Sequence, residues 1–284
     1  MPAERRASAV GLVLGAACSV QGGAAVAKSI FPELGPPGVV FLRLLFGSAA
    51  LWAIARPRLR GRARGELRLV VALGVVLASM NLSFYEALDR VPLGVAVTVE
   101  FLGPLAVAVL GSRRPLDLVW VAAAGGGVAL LANGGSARPL GLGLAALAGS
   151  FWACYILLGV RVGRAFPGAS GLAPAMAIGA LLSAPWGIVS AGGHLGDAQL
   201  LGAGVGVGLL SSALPWSMEL EALRRLPSHV FSVVLSLEPA VAALAGFVFL
   251  HEHLRPRSWL AIGLVVVASA GAARKAKPPV PPDA

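Results

Sequence analysis

Long apolar runs, separated by short polar stretches, make up most of this chain. Ten of the runs approach the roughly 20 residues that a helix needs to cross a bilayer core. Barrel strands would alternate apolar and polar positions over shorter segments. The pattern therefore predicts an all-α integral membrane protein with ten transmembrane helices. The predicted spans are residues 8–28, 36–55, 67–88, 92–111, 116–133, 139–160, 171–190, 199–222, 228–250 and 257–273.

The composition agrees with a membrane protein, because 57% of the residues are hydrophobic and only 13% are charged. Soluble proteins are about half apolar and about a quarter charged. A soluble chain this apolar could not cover its own surface, so the excess is expected to face lipid. The first apolar run follows Arg5 and Arg6 and reaches about Lys28. It is long for the apolar region of a signal peptide, which favours a retained first helix.

The positive charges cluster between the apolar runs and mostly on one side of the predicted membrane. With a cytoplasmic N-terminus, the inner segments hold 17 Lys and Arg residues and the outer segments hold 5. This bias predicts that both termini are cytoplasmic. The proline-rich tail at 274–284 is predicted to be a disordered cytoplasmic segment. The net charge of +10 does not indicate nucleic-acid binding, because no basic stripe alternates with aromatic residues.

The chain contains an internal repeat. The segment Glu86–Pro92 matches Glu221–Pro227 at five of seven positions, with an offset of 135 residues, and Pro104 falls on Pro239 at the same offset. This offset spans five helices, an odd number, so the second copy is predicted to be inverted relative to the first. Inverted repeats are frequent in secondary transporters, although a duplication without a transport role is the alternative. The predicted repeats are residues 1–135 and 136–273.

Two acids are predicted to lie in the middle of the membrane. Glu100 is half-way along the fourth span and Glu238 is half-way along the ninth. A charged acid at this depth costs about 2.5–3.5 kcal/mol or more unless it faces a cavity or a partner. Pro104 cannot donate a hydrogen bond to the Glu100 carbonyl, and Pro239 cannot donate one to the Leu235 carbonyl. Each half therefore offers a carboxylate and a free carbonyl, for contact with a substrate amine or for proton coupling. The alternative is a structural acid paired with an arginine.

Further polar side chains interrupt the apolar spans. Arg43 could bind a substrate carboxylate through its planar guanidinium, but a structural ion pair with Glu100 or Glu238 is the favoured prediction. Glu219 is a candidate for a gate at the inner mouth. Donors and acceptors set in apolar walls would suit a small zwitterion, whereas each one alone is more often an interhelical hydrogen bond. The remaining candidates for the pathway are Gln21, Asn81, Trp152, Tyr155, Trp216 and Ser217.

The motifs of other function classes do not occur in the sequence. The phosphate-loop pattern GxxxxGK[ST], a nucleophile elbow and a zinc-protease motif are all missing. Neither ATP hydrolysis, nor an enzyme activity, nor a cofactor is therefore predicted. Cys18 and Cys154 lie inside apolar runs and suggest neither a disulfide nor a metal site. The glycine-rich stretches also lie inside spans, where they favour close helix packing.

Four segments resemble a known family. Residues 92–108 are similar to the fourth helix of EamA-type carriers of the drug/metabolite transporter superfamily, with a Glu-x-x-x-Pro signature. Residues 236–243, with a Glu-Pro signature, and residues 151–157 and 211–219 resemble the same family, particularly its threonine/homoserine exporter type. The resemblance implies two inverted EamA repeats, an inner-membrane location, and export of small amino acids in exchange for protons.

The leading hypothesis is therefore an exporter with alternating access, whose partners are a small-molecule substrate and the lipid bilayer. An EamA-type carrier of another metabolite or drug is the first alternative. A membrane-embedded enzyme acting on lipid and a purely structural subunit are alternatives of other classes. The sequence leaves open whether the chain forms a homodimer, which substrate it carries, and which acid carries a proton.

Overall fold

The structure is a computed structural model that describes residues 3–110, 116–132 and 138–273. The predicted repeat boundary at residues 135 and 136, Arg113 and Arg114, and the tail 274–284 lie outside the described residues. Within the described ranges the regular structure is entirely helical. The α-helices are α1 (Ala3–Ser29), α2 (Phe31–Ala55), α3 (Arg64–Leu88), α4 (Leu93–Glu100), α5 (Leu102–Leu110), α6 (Leu116–Ala132), α7 (Pro139–Ala165), α8 (Leu172–Ala191), α9 (Ala198–Gly208), α10 (Leu214–Arg225), α11 (Ser228–Leu235), α12 (Glu238–Leu250) and α13 (Pro256–Ala273).

The number of membrane-spanning segments differs from the prediction. Among the described residues, nine helical segments are long and apolar enough to cross a bilayer, against the ten predicted. The fifth predicted span corresponds to α6, which has 17 residues and contains a shorter apolar stretch, Leu118–Ala132. The chain is thus an all-helical, multi-pass membrane protein.

Two of the predicted spans are broken helices. The span predicted at 92–111 consists of α4 and α5, and the span predicted at 228–250 consists of α11 and α12. Each break lies just before a proline, Pro104 or Pro239, in the first turn of the second helix. Proline fits a first turn, where its missing N–H group is not needed, but not a helix interior. Each of these two spans is therefore divided into two helices near the proline that the sequence shows there.

The two breaks have the same geometry at equivalent positions of the repeat. The chain leaves α4 at Phe101, with φ −64° and ψ −12°, and leaves α11 at Ser236, with φ −63° and ψ −9°. The two residues are 135 positions apart, which is the offset of the sequence repeat. In both, the backbone N–H donates to the carbonyls two and four residues earlier. This equivalence of the local backbone is what a duplication would produce.

Helices of the two predicted repeats pack mainly against each other. Contacts join α2 to α8, α3 to α7, α1 to α10, α4 to α12 and α6 to α13. Exchanging the two repeats leaves the pairs α2–α8 and α6–α13 unchanged and converts the pair α1–α10 into the pair α3–α7. The contact pattern therefore has the two-fold pseudosymmetry that a duplication would produce.

Glycine contacts bring α7 close to the first helix break. A Cβ atom added at Gly149 would lie 2.5 Å from the Glu100 carbonyl oxygen, and one added at Gly103 would overlap the Gly149 carbonyl. Close backbone approach of this kind is typical of helix packing in membranes. The Gly149 side of α7 thus packs directly on the end of α4.

We expect Gly149→Ala to lower the free energy of unfolding by about 1–3 kcal/mol, because the added methyl group must push α7 away from α4. Thermal unfolding of the purified protein in detergent measures the effect. Gly159→Ala, on the same helix, is the matched control, since a Cβ atom there meets nothing within 4 Å. Equal stability of the two variants would contradict the close contact.

Candidate functional site

A cavity of about 350 Å³ lies between the two predicted repeats. Most of its wall is apolar, and its volume is in the range of small-molecule sites. Ten of the twelve residues singled out from the sequence line it, although they come from seven predicted spans. They are Gln21, Arg43, Asn81, Glu100, Pro104, Trp152, Tyr155, Trp216, Glu219 and Glu238.

The other two predicted residues lie outside the cavity wall. Ser217 is exposed on α10, on a face that does not line the cavity, and its hydroxyl donates to the Ala213 carbonyl at 2.8 Å. Pro239 is buried directly behind Glu238 in the first turn of α12. Pro239 therefore contributes to the helix break rather than to the cavity wall.

The acids Glu100 and Glu238 flank the two helix breaks on opposite sides. Glu100 is the last residue of α4, whereas Glu238 is the first residue of α12. Their side chains are buried, with exposed fractions of 8% and 7%. The helix dipole is negative at the C-terminal end and positive at the N-terminal end, so the two carboxyl groups lie in opposite backbone fields.

The hydrogen bonds of the two acids also differ. Gln21 Nε2 donates to Glu238 Oε1 at 3.0 Å, which fixes this carboxyl group against α1. No donor from the described part of the chain reaches the Glu100 carboxyl group. Glu100 is therefore the less constrained of the two.

Arg43 lies in the cavity wall, where it forms no ion pair with an acid of the described residues. Its Nη1 donates to the Tyr85 hydroxyl oxygen at 3.1 Å, and its Nη2 donates to the Ser211 carbonyl at 3.2 Å. The guanidinium carbon is 5.4 Å from the centroid of the Tyr85 ring. Across the described ranges no ion pair joins Arg43 to an acid, so the ion pair favoured from the sequence is not formed.

A proline explains why Arg43 binds a backbone carbonyl. Pro215 has no N–H group, so it cannot donate to the Ser211 carbonyl four residues earlier. Residues Leu209–Ala213 form a π-helical turn at the same place, a distortion that is common at functional sites. The freed carbonyl accepts from Arg43, which holds the positive charge at the cavity.

The remaining polar side chains form the cavity wall in different ways. Asn81 is buried, and its Nδ2 donates to the Leu77 carbonyl of its own helix at 2.8 Å. The Trp152 ring packs edge-on against Phe101, with centroids 5.2 Å apart, and so connects the cavity to the break after α4. Tyr155, Trp216 and Glu219 are partly exposed in the cavity wall.

A polar cluster that the sequence did not predict lies at one end of the molecule. Lys28 Nζ donates to Glu252 Oε1 at 2.8 Å and to the Val91 carbonyl at 2.9 Å. Glu252 Oε2 accepts from the Leu93 N–H, the first of α4, at 2.8 Å. We call Lys28, Val91, Leu93 and Glu252 the latch cluster. It joins α1 and the start of α4 to the loop after α12, and therefore ties the two predicted repeats together.

Two signals in the sequence could have indicated the missed residues. Glu252 is an acid between two histidines just beyond a span, and Tyr85 is one of only two tyrosines in the chain. The left-handed conformation of His251, with φ 53°, turns the chain back, so that the Glu252 N–H donates to the Gly246 carbonyl at 3.0 Å. This turn directs the Glu252 side chain towards α4.

Comparison with known proteins identifies relatives along nearly the whole chain. The sequence profile of the EamA-like transporter family matches residues 139–274. The chain is 44% identical over 265 residues to the threonine/homoserine exporter RhtA of Escherichia coli (strain K12), covering 92% of this chain and 89% of that protein. It is 43% identical, with the same coverage, to the threonine/homoserine exporter RhtA of Salmonella typhimurium.

A solved structure shares the fold. One protein chain with a known crystal structure matches with a TM-score of 0.65 at 21% identity, over 95% of this chain and 98% of its own length. At this identity the likeness concerns the fold alone.

The cavity predicts different reactivity for two serines of the same segment. In a background in which Cys18 and Cys154 are replaced by alanine, we expect Ser212→Cys to react with a charged methanethiosulfonate reagent, because Ser212 lines the cavity. Ser217→Cys, five residues further on, should react slowly, since a thiol that faces lipid rarely forms the reactive thiolate. Comparable labelling rates would contradict the assignment of the cavity wall.

Proposed function

The chain belongs to the EamA-like transporter family, and we propose that it exports a small amino acid, such as threonine or homoserine, across the bacterial inner membrane. On this proposal it is a secondary carrier rather than an enzyme, and it works by alternating access with proton coupling. The cargo follows the relatives that cover most of the chain, which are threonine/homoserine exporters. The proposed topology is ten spans in two inverted repeats, residues 1–135 and 136–273, with both termini in the cytoplasm.

The topology is supported by the equivalent helix breaks and by the pseudosymmetric helix pairing. The short helix α6 packs against α13, as the fifth span of one repeat would pack against the fifth span of the other. Longer apolar helices span more easily, but neighbouring helices and local thinning of the bilayer accommodate a short one.

The observation that carries the function is that Arg43, which has no ion pair within the described part of the chain, shares a cavity with three acids. Arg43 is held by a hydroxyl and a backbone carbonyl, so part of its guanidinium donor capacity remains for an anion. A free amino acid has one carboxylate and one ammonium group. We infer that the substrate carboxylate binds Arg43 and that its ammonium group binds an acid of the same cavity.

The two mid-membrane acids are proposed to have different roles. Glu238 is oriented by Gln21 and lies at the positive end of α12, which suits a carboxylate that binds the ammonium group. Glu100 lies at the negative end of α4, and no side chain among the described residues donates to it, which suits a group that takes up and releases a proton. At the repeat offset of 135 residues, Glu100 is equivalent to position 235, so Glu238 lies three residues further along its own repeat. This difference in position would separate substrate binding from proton coupling.

We expect Glu238→Gln to lower transport about tenfold or more while the protein remains inserted. Gln can still accept the hydrogen bond from Gln21, but the loss of a charged contact worth about 1.5–3 kcal/mol lowers affinity about tenfold or more. Proteoliposomes loaded with threonine measure both counterflow, which needs only binding and exchange, and net transport driven by a pH gradient.

Glu100→Gln serves as the comparison in the same assay. It should keep counterflow and lose the response to the pH gradient, because Gln imitates the neutral acid permanently. Glu86→Gln is the matched control outside the cavity and should behave like the unchanged protein. Normal net export by Glu238→Gln would refute the role assigned to Glu238.

The latch cluster is proposed to close the outer end of the pathway. In the proposed orientation, Lys28, the start of α4 and the loop after α12 all lie on the outer side. The cavity wall extends in the other direction to Leu172, the first residue of α8. The structure would then correspond to a carrier that loads its substrate from the cytoplasm while the outer end is closed.

Weakening the latch cluster should increase access from outside. Glu252→Gln removes the ion pair with Lys28. In this pair the Lys28 side chain is 22% exposed and the Glu252 side chain is 14% exposed. A loss of about 1.5 kcal/mol shifts a two-state equilibrium about tenfold. We therefore expect Ser212→Cys to be labelled faster from the outer side when it is combined with Glu252→Gln. Glu221→Gln, which breaks ion pairs with Arg224 and Arg225 at the opposite end, should leave outer labelling unchanged.

A further inference from the structure

One end of the helix pair α3–α7 carries a group of arginines that the transport proposal does not use. None of these exposed arginines has a hydrogen bond or an ion pair from its side chain within residues 3–110, 116–132 and 138–273. Guanidinium groups that are not engaged by protein acids remain available for an external anion. The exposed arginines of this group are Arg56, Arg58, Arg60, Arg64, Arg68, Arg161 and Arg164.

A neighbouring arginine holds the loop between α2 and α3 in place. Arg62 Nη1 donates to the Ala165 carbonyl, at the end of α7, at 2.8 Å. Its guanidinium carbon is 4.6 Å from the centroid of the Phe166 ring, which is 1% exposed. The start of α3 and the end of α7 are therefore fixed together. As a result, Arg64 and Arg161 belong to the same end of the pair.

A shallow, open groove of about 420 Å³ lies on α3 directly beside two of these arginines. It is lined by Arg64, Leu67, Arg68, Val71 and Ala72. Spacings of three and four residues place these side chains on one helix face. Further along α3, Val71 and Val75 are 48% and 45% exposed. The groove thus has a basic end, and the exposed apolar face of α3 continues beyond it from Val71 to Val75.

The adjacent helix repeats this arrangement. On α7, Leu157 and Val160 are each 53% exposed, and Arg161 and Arg164 follow them towards the same end. Exposed apolar residues in a spanning helix face acyl chains, and arginines at its end meet the lipid headgroups. The orientation bias of membrane proteins accounts for the arginines alone, but it does not account for a groove that joins them to an apolar wall.

We propose that this groove binds an anionic phospholipid of the surrounding leaflet. Its phosphate would lie between Arg64 and Arg68, whose planar forks match phosphate oxygens. An acyl chain would lie along Val71 and Val75. A free phosphate ion would leave the apolar wall unused, whereas a lipid uses both parts. Basic clusters at the ends of spanning helices attract anionic headgroups, and the groove gives this attraction a defined place.

The test measures lipid binding without transport, in the full-length protein in a neutral detergent. Phosphatidylglycerol should raise the melting temperature of the unchanged protein, and phosphatidylcholine should raise it less. Arg64→Gln combined with Arg68→Gln should lose most of the difference. Arg138→Gln combined with Arg257→Gln is the matched control, since both of these arginines are exposed at other helix ends, and it should keep the difference. Val71→Asn keeps both arginines and should reduce the difference as well.

Several results would overturn the proposal. Equal losses in the two double variants would mean that the lipid responds to total charge rather than to the groove. Full retention of the difference by Arg64→Gln combined with Arg68→Gln, or by Val71→Asn, would place the lipid elsewhere. An equal shift of the melting temperature with inorganic phosphate would mean that a free anion occupies the basic end. Because no outcome involves solute flux, failure here is distinct from failure of the transport proposal.

Discussion

A helix interrupted inside a bilayer leaves backbone groups that lipid cannot hydrogen-bond, and this constraint shapes the centre of the molecule. At both breaks the chain turns so that the N–H groups of Phe101 and Ser236 still find carbonyls within their own helices. The Glu100 carbonyl, which Pro104 leaves without a donor, is packed under Gly149 of α7. Because Gly149 has no side chain, the backbone of α7 covers this carbonyl and keeps it buried in protein rather than exposed to lipid.

The same constraint accounts for the position of the positive charge. Pro215 and the π-helical turn leave the Ser211 carbonyl free inside the spanning region, and Arg43 of α2 donates to it. Arginine at this depth would be costly on its own. A hydroxyl, an aromatic face and a freed carbonyl together hold it without using up an acid. The carboxyl groups of the cavity therefore remain available for a ligand, which an Arg–Glu ion pair would have prevented.

The sequence predicts the helical framework well because apolar run length is a local property. The seventh span, predicted at 171–190, is found as α8 (Leu172–Ala191). Most of the predicted site residues line one cavity, because polar groups in spans have few other places to lie.

The helix breaks were not predicted, since a proline in a membrane helix often causes only a kink. The partners of Arg43 were not predicted either, because the contact with Ser211 joins positions 168 residues apart. Glu252 was missed because its charge is ordinary for a loop, and only the turn at His251 directs it to α4.

Symmetry of the backbone combined with asymmetry of the side chains fits the proposed carrier. Equivalent breaks, 135 residues apart, would allow two inverted halves to open by the same movement towards either side. Identical acids in both halves would, however, give the two openings the same chemistry. The acids here instead lie on opposite sides of their breaks, Glu100 at the end of one helix and Glu238 at the start of another. We propose that this shift of three residues lets a nearly symmetric scaffold hold the substrate with one acid and exchange a proton with the other, so that the scaffold opens both ways while coupling favours export.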